Sequence, residues 1–537
     1  MAVATPTGVP RIIHQTWKDA HPPTAKGDPE SWRRLNPGWE YRLWTDEDLL
    51  AFMTREWPEL LDMYLAYARP VQRADLARYC LLRRFGGVYA DIDTRCLSPL
   101  EPLAGDPRVV LCEEPPEHFE PALARGLGRM FFNGTMASPP GHAFWDDVIA
   151  LCRTMFPRRD GDVLETTGPL LLTAAVLQWP AQDRLSLNSC HCFARLTAAG
   201  SDSSAVPSGC YGDTVFSEHL WQGSWYKRRR ELIHTRTLGR ARRALHQFTA
   251  RPTLSFAEAS RAIDVDLLTR PLHDVGSRPR IAILIPARDA AGCLRANFSA
   301  IRGLDYPLDR ITVIYGVGES TDGTEDIVAD LLREHRTRFA GMRSVAASSG
   351  TRAPPHDRRW LPKFQRRRRA GIARARNALM REALAEPVDW FLWLDADVVG
   401  LPSDLIQRLL EAESKIVVPD CVLEPGGPSY DLNAFLEVGT PTVATYYRHC
   451  RYGLFQPPAR YWERRHLDDL RYLHRTPLHG VGGTALFVHG DVHRAGLGFP
   501  EIPYRDLLET EAFGILARDC GLVPMGLPRV TVIHARA

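Results

Sequence analysis

The chain is 537 residues long, with 45% hydrophobic and 24% charged residues, which excludes intrinsic disorder, a collagen-like repeat and a small disulfide-stapled scaffold as whole-chain readings. At about 100–200 residues per domain there is room for two to four domains. The 67 Lys and Arg against 64 Asp and Glu leave a net charge of +3, so the protein as a whole is not a polycation built for nucleic acid.

Eleven cysteines are present without a Cys-x-x-Cys pair. Cys190-His191-Cys192 has no second pair at ligand spacing and reads as packing rather than a metal site. Such usage fits a reducing compartment. The N-terminal residues show no charged region followed by an apolar core, and no uncharged stretch approaches the ~20 apolar residues of a membrane span. A soluble, cytoplasmic protein is therefore expected. On that expectation the glycosylation patterns at Asn133 and Asn297 are chance matches.

In chain order, Val9 to His14 is the first apolar run, of the kind that makes a strand buried on both faces of an α/β sheet. Asp46-Glu47-Asp48 then signals a helix start, with Leu49, Leu50, Phe52 and Met53 at helical spacing. The strongest signal in this half is Arg73-Ala-Asp75-Leu-Ala-Arg78 followed by Phe85-Gly-Gly-Val-Tyr89-Ala-Asp91-Ile-Asp93. Val88 to Ile92 is predicted as a strand, from which Asp91 and Asp93 project together. Two hard oxygen ligands converging there suit Mg²⁺ or Mn²⁺ shared with phosphate oxygens.

Lys227 to His246 is a basic run with Glu231 as its only acid. It reads as a solvated connecting helix or as one drawn peripherally to an anionic membrane surface. A second strand–helix series starts at Arg280 to Pro286, continues through a turn and cap at Ser320 to Thr324, and repeats the carboxylate arrangement at Asp389 to Val398. There an aromatic-rich strand delivers Asp395 and Asp397. Just upstream, Ala373 to Met380 reads as a helix carrying Arg374 and Arg376 towards that strand, for donor phosphates or for ion pairs with Glu382 or Asp389. The run Lys363 to Arg369 ahead of it reads as a solvated loop or a flexible lip. Aromatic interleaving is too thin for a nucleic-acid groove. The domains are thus 1–226, a basic connector 227–278, and 279–537.

From Pro10 to Tyr226 the sequence resembles glycosyltransferase family 32, on Ile12-Ile-His-Gln-Thr-Trp17, the motif ending Asp91-Ile-Asp93, Asn133-Gly-Thr, Thr167-Gly-Pro and His219-x-x-x-Gly-Ser224-Trp225. The resemblance implies that Asp75, Arg78 and Asn133 meet the donor sugar, that Tyr89 holds the nucleotide and that Trp17 lies near its base. Asp91 would touch ribose or sugar, and Asp93 would bind metal. His219 and Ser224 would close over the diphosphate, with Trp225 beside them. His219 is either a third metal ligand or a structural histidine.

From Arg280 onward the sequence resembles the mannan-polymerase subunit family, glycosyltransferase family 62. The matching landmarks include Ile285-Pro-Ala-Arg288-Asp, Gly371 to Asn377, Asp395-Ala-Asp397, Tyr430-Asp431-Leu-Asn, Glu509-Thr-Glu511 and Val532-Ile-His534. This resemblance implies GDP-mannose as donor and Mn²⁺ held by Asp395, Asp397 and His534. Arg288, Arg374, Arg376, Asn377 and Asp431 would line the donor site. Glu509 and Glu511 are the acidic pair for acceptor binding or base assistance, Glu511 being alternatively a helix-surface residue.

The fold expected is α/β, two tandem nucleotide-diphosphate-sugar transferase domains of the GT-A, Rossmann-like type. The function expected is a bifunctional, retaining, metal-dependent glycosyltransferase acting on a glycan, with Mn²⁺ preferred and Mg²⁺ possible. Two other readings stay open: one active domain beside a degenerate scaffold, and a glycan-binding protein that does not turn over.

Overall fold

The computed structural model describes residues 8–22, 27–222, 242–244, 253–272, 278–350, 358 and 361–536. The chain divides into two compact units, Met1–Arg229 and Arg230–Ala537. Most of the basic connector, with Ser224 and Trp225, lies outside the described residues. Its later part, 253–272, packs on the second unit, where Leu254 N–H donates to Pro503 O and Asp264 N–H to Ala495 O, each at 2.8 Å. Among the described residues no helix is long and apolar enough to cross a membrane.

The first unit contains strands β1 (Ile12–Thr16), β2 (Glu40–Trp44), β3 (Gly87–Ala90), β4 (Thr94–Cys96), β5 (Val109–Cys112), β6 (Thr135–Ser138), β7 (Leu185–Asn188) and β8 (Ser217–His219). Six form one sheet in the order β2-β1-β3-β6-β5-β7. Strands β2, β1 and β3 are parallel, and β6 runs antiparallel to both its neighbours. The remaining β4 and β8 form a separate antiparallel pair. Helix α1 (Pro70–Phe85) feeds β3 through Gly86 and Gly87, both in the left-handed region at φ 64° and 88°. A Cβ at Gly87 would stand 2.5 Å from Ile12 O, so only glycine permits this turn beside β1. Cys190 and Cys192 are buried, Cys192 within the core, and all the cysteines are unpaired.

The second unit contains β9 (Ile281–Ala287), β10 (Ile311–Val317), β11 (Gly341–Ala346), β12 (Trp390–Leu394), β13 (Val398–Gly400), β14 (Ile416–Val422), β15 (Ala485–His489) and β16 (Met525–His534). They run in the order β11-β10-β9-β12-β15-β14-β16-β13, with Thr476–Pro477 added beside β16. The first four are parallel, as continuous apolar runs such as Ile281 to Ile285 demand when both faces are covered. Strand β15 reverses direction between β12 and β14. Helix α2 (Pro362–Ala383) packs on β9, β10 and helix α3 (Glu509–Asp519). The charge run Lys363 to Arg369 is therefore helical rather than a loop: Pro362 opens the helix and no further proline interrupts it before Ala383.

Candidate active sites

Both Asp-x-Asp motifs sit one residue beyond the end of a strand rather than on it. Strand β3 stops at Ala90, and Thr94 N–H closes a turn onto Asp91 O at 3.2 Å; β12 stops at Leu394, and Val398 N–H closes the same turn onto Asp395 O at 3.1 Å. The carboxylates are gathered by a turn, which corrects the expectation that strand alternation aligns them.

In the first unit Arg78, on α1, is buried and reaches several partners. Its Nη2 lies 3.1 Å from Asp75 Oδ1 and 3.2 Å from Asp91 Oδ1, and its Nη1 donates to Asn133 O at 2.8 Å. Asp75 is held in turn by the Asn133 side-chain amide at 3.1 Å and the Thr167 hydroxyl at 2.9 Å. Burial still pushes its carboxyl up to about 6 against these contacts. Tyr89 is fully buried, its ring 4.7 Å from the Arg78 guanidinium, and its hydroxyl donates to Asp91 at 2.8 Å while meeting Thr16 at 3.1 Å. Its hydroxyl thereby orients the Asp91 carboxylate. Trp17 follows β1, with its backbone N–H on Trp44 O at 3.0 Å.

Asp93 completes this site. Strand β8 runs antiparallel to β4 with His219 opposite Thr94, which sets His219 Nε2 3.1 Å from Asp93 Oδ1. The Gln222 backbone N–H donates to the other Asp93 oxygen at 3.1 Å. Burial raises the Asp93 carboxyl, but His219 and this amide outweigh it and hold the group below its usual range. Asp91 shifts the other way, pushed up by burial against the pull of Arg78. One ligand atom each from Asp91, Asp93 and His219 lie within 4.8 Å of one another. Two carboxylates and an imidazole fit a divalent ion that keeps positions for phosphate oxygens.

The second unit repeats the plan with different partners. Arg376, on α2 and buried, bonds Asp395 Oδ1 at 2.8 Å, Glu509 Oε1 at 3.0 Å and Gly483 O at 3.1 Å. It pairs with these groups and not with Glu382 or Asp389. Burial, aided by Asp397, Glu509 and Asp431, pushes Asp395 up to about 7 despite Arg376. Strand β16 delivers His534 opposite Val398, and its Nε2 lies 3.1 Å from Asp397 Oδ2. Burial lowers the His534 imidazole, but Asp397 more than compensates and raises it. Among the described residues the only convergent three-ligand group is that of the first unit. The second unit brings together Asp397 and His534, two of its three expected ligands, while Asp395 is bonded to Arg376.

The other expected residues divide by task. Arg288 Nη1 donates to the Ser349 hydroxyl and Arg374 Nε to Ser349 O, each at 3.1 Å, so both guanidinium groups meet at one loop. Asp431 accepts from Gly483 N–H at 2.9 Å and Thr484 N–H at 3.2 Å, pinning the segment beside Asp395. Asn377 pairs with both backbone groups of Phe499 at 2.8 and 2.9 Å and supports a loop. Glu511 is buried between Arg369 and Arg464, the latter at 3.1 Å, so it is no helix-surface residue. Glu509 opens α3 at φ 56°, a strained conformation held by Arg376.

Sequence reasoning assigned no role to Thr16 or Thr167, whose hydroxyls fix Tyr89 and Asp75. It also missed Glu114, buried and 3.2 Å from His118 Nδ1.

Residues 260–503 match the family model Anp1, and residues 22–110 match the model described as glycosyltransferase sugar-binding region containing DXD motif. The mannan polymerase complex subunit mnn9 of Schizosaccharomyces pombe is 30% identical over 292 residues, covering 50% of this chain and 84% of that protein. The chain belongs to the Anp1 family. Its first half is similar to the mannosyl phosphorylinositol ceramide synthase SUR1 of Saccharomyces cerevisiae, 35% identical over 186 residues, 32% of this chain and 43% of that protein. The chain thus spans under half the length of this second relative. A solved structure, mannosyltransferase PcManGT from Pyrobaculum calidifontis in complex with GDP-Man and Mn2+, is 17% identical at a TM-score of 0.30, covering 56% of this chain and 68% of that one. This Anp1-family chain is a glycosyltransferase with α/β, Rossmann-like domains, and Asp91, Asp93 and His219 in its DXD region form a group that could hold a metal ion.

Proposed function

We propose that the chain is a bifunctional, retaining mannosyltransferase whose two units each use a nucleotide-sugar donor, GDP-mannose in the second, to extend a glycan. The observation that carries this reading is the repeated constellation: a buried Arg on the first Asp, a strand-borne His on the second, at the same turn in both units. Relatives of both halves are named as mannan polymerase subunits or mannosyl transfer enzymes, which supports mannose as the sugar.

In the first unit Asp91, Asp93 and His219 would hold the divalent ion; in the second, Asp397 and His534 would, joined by Asp395. Such an ion supplies charge stabilisation to the departing diphosphate. An imidazole among the ligands favours Mn²⁺ over Mg²⁺. The fixed positive charge of Arg288 and Arg374 suits phosphate oxygens, whose charge grows as the bond to the anomeric carbon breaks. Arg78 and Arg376 act one step back, orienting Asp91 and Asp395.

One observation favours a second reading, in which only the first unit turns over: the three expected ligands do not converge in the second. The test is a donor screen on the full-length chain with Mn²⁺, Mg²⁺ or chelator, read by mass spectrometry for sugar transfer. GDP-mannose consumption dependent on Asp397 supports two active sites. Consumption that depends on Asp93 alone leaves the second unit a scaffold, and turnover of a UDP-sugar in place of GDP-mannose by the second unit defeats the donor assignment.

A further inference from the structure

Residues 436–465 make a small lobe of the second unit outside its main sheet. It comprises two short antiparallel pairs, Leu436–Glu437 with Arg464–Arg465 and Cys450–Arg451 with Leu454–Phe455, and the helix Val443–His449. Its sequence, TYYRHCRYGLFQPPARYWERRH over 445–466, is rich in aromatics that neither the sheet core nor the carboxylate site uses. Phe455 is the hub: Tyr446 lies parallel to it at 4.5 Å and Tyr461 packs its edge at 5.9 Å, with Trp462 next at 6.1 Å from Tyr461. Phe455 and Tyr461 are buried, whereas Trp462 is 54% and Tyr452 64% exposed. An exposed indole set against a buried ring, as Trp462 is against Tyr461, gives a flat apolar face at little entropic cost.

Tyr452 occupies the tip of a two-residue hairpin. Tyr452 and Gly453 have φ of 53° and 73°, a turn that favours Asn-Gly or Asp-Gly. Tyrosine there keeps its backbone in the left-handed region while its ring stays largely exposed. An unrelieved strain of this kind points to a function.

Polar groups border the rings. The Arg464 guanidinium lies 3.5 Å from the Phe435 centroid and 5.2 Å from that of Phe455, donates to Glu511 at 3.1 Å, and is 3.8 Å from Glu437. Glu463, 1% exposed, accepts from the Tyr461 hydroxyl at 2.6 Å, while its Oε1 has no hydrogen-bond partner among the described residues. A buried oxygen without a donor is costly unless a ligand supplies one. Glu511 also binds Arg369, which donates to Asn433 at 3.1 Å, beside the Asp431 that pins Gly483 and Thr484 next to Asp395. The lobe is thereby continuous with the carboxylate site.

We propose that this lobe is the acceptor subsite of the second unit, binding pyranose rings of an α-linked mannose glycan on Trp462 and Tyr452, with hydroxyl groups taken by Glu437, Glu463 and Arg464. It rests on the glycan-extending reading above. Stacked sugar C–H faces and ring-edge hydroxyl groups match this mixture of flat apolar surface and carboxylate–guanidinium rim.

The test titrates the full-length protein with α-mannotriose, without nucleotide or metal, following tryptophan fluorescence and calorimetric heat. The wild type is expected to bind with a change in indole emission, and Trp462→Ala to bind at least tenfold more weakly. Tyr452→Asn is the second variant: it gives the hairpin a preferred residue, so the melting temperature holds or rises while binding weakens at least threefold. In transfer assays both variants raise the acceptor KM more than the donor KM. The proposal is overturned if both variants bind like the wild type, or if they alter self-association or protein partnering while glycan binding stays intact. A wild type that binds α-mannotriose but consumes no nucleotide sugar supports the subsite and defeats the glycosyltransfer reading, so the two failures are separable.

Discussion

The two carboxylate turns share one plan and differ in what the arginine holds. In the first unit Arg78 spans Asp75, one helical turn earlier on its own helix, and Asp91, while the Tyr89 hydroxyl takes the same Asp91 carboxylate. Asp91 is left within ligand reach of Asp93 and His219. In the second unit Arg376 spans Asp395 and Glu509, which belongs to a separate helix and sits in a strained conformation. The identical Asp-x-Asp spacing therefore yields a gathered ligand set in one unit and a divided one in the other. The two sites differ in the acid that shares the arginine and in the Tyr89 hydroxyl that only the first carboxylate receives.

The largest effects come from the second aspartate of each motif. Asp93→Ala and Asp397→Ala each remove a carboxylate from an open hard-ligand site, and each should reduce transfer by its own unit about a hundredfold or more while sparing the other. Product analysis of the two full-length variants against the wild type measures this. If Asp397→Ala changes no activity, the second site is a scaffold and the resemblance between the turns is one of shape alone.

Next in size is the buried arginine. Removing one partner of a buried ion pair leaves the other charge uncompensated, at about 3–5 kcal/mol. Arg376→Ala strands both Asp395 and Glu509, whereas Asp75 keeps the Asn133 and Thr167 donors in Arg78→Ala. The second unit should lose more stability than the first, read from denaturant melts of the two full-length variants. Equal losses would show that Glu509 contributes nothing to the difference.

Protonation sharpens the contrast. Burial, with Asp397 and Glu509 beside it, pushes the Asp395 carboxyl up to about 7 from its ordinary 3.8, so the folded state holds the extra proton. Stability from this group is full below the ordinary value and is lost as pH rises towards about 7. Asp93 is depressed, and its contribution is present above the ordinary value and lost as pH falls through the lower one. Without metal, the wild type should lose a few degrees of melting temperature relative to Asp395→Asn between pH 4 and 7. Added Mn²⁺ should narrow that gap most at the neutral end of this range, where the proton competes least. A difference between the proteins that does not vary with pH would remove Asp395 as its source.

The fold class, the two strand–helix series and both Asp-x-Asp motifs were legible because they rest on local patterns of apolar runs, paired glycines and adjacent carboxylates, whereas the turns that gather the carboxylates were read as strand. His219 was legible only through motif order, and His534 through motif order and the β-branched run Val530 to Ile533 that leads to it; antiparallel pairing across long loops brings both to their aspartates. The helical state of Lys363 to Arg369 was misread because repelling charge suggested a loop, while in the fold Glu511 neutralises Arg369 from another helix. Thr167 on Asp75 and Glu509 on Arg376 join residues 92 and 133 positions apart, which no local pattern encodes.

The smallest effect isolates the hydroxyl that distinguishes the first site. Tyr89 precedes Asp91 by two residues, and its counterpart before Asp395 is Trp393, whose indole N–H donates to His493 at 3.1 Å and not to the carboxylate. Tyr89→Phe keeps the ring under Arg78 but deletes the 2.8 Å bond to Asp91 and leaves Thr16 without that partner. A hydrogen bond to a charged group contributes about 1.5–3 kcal/mol, and loss of groups that orient metal ligands lowers affinity about 10–100-fold. Because Arg78 still grips Asp91, the lower end is expected: Mn²⁺ binding by the first unit should weaken about tenfold with the fold intact. Calorimetric titration of Tyr89→Phe in the Asp397→Ala background measures this site in isolation. Trp393→Phe, assayed in the Asp93→Ala background, should leave Mn²⁺ affinity of the second unit unchanged, because the indole touches His493 and no ligand. Wild-type affinity in Tyr89→Phe would mean that Arg78 alone gathers the ligands, and the divided geometry of the second site would then fall to Glu509.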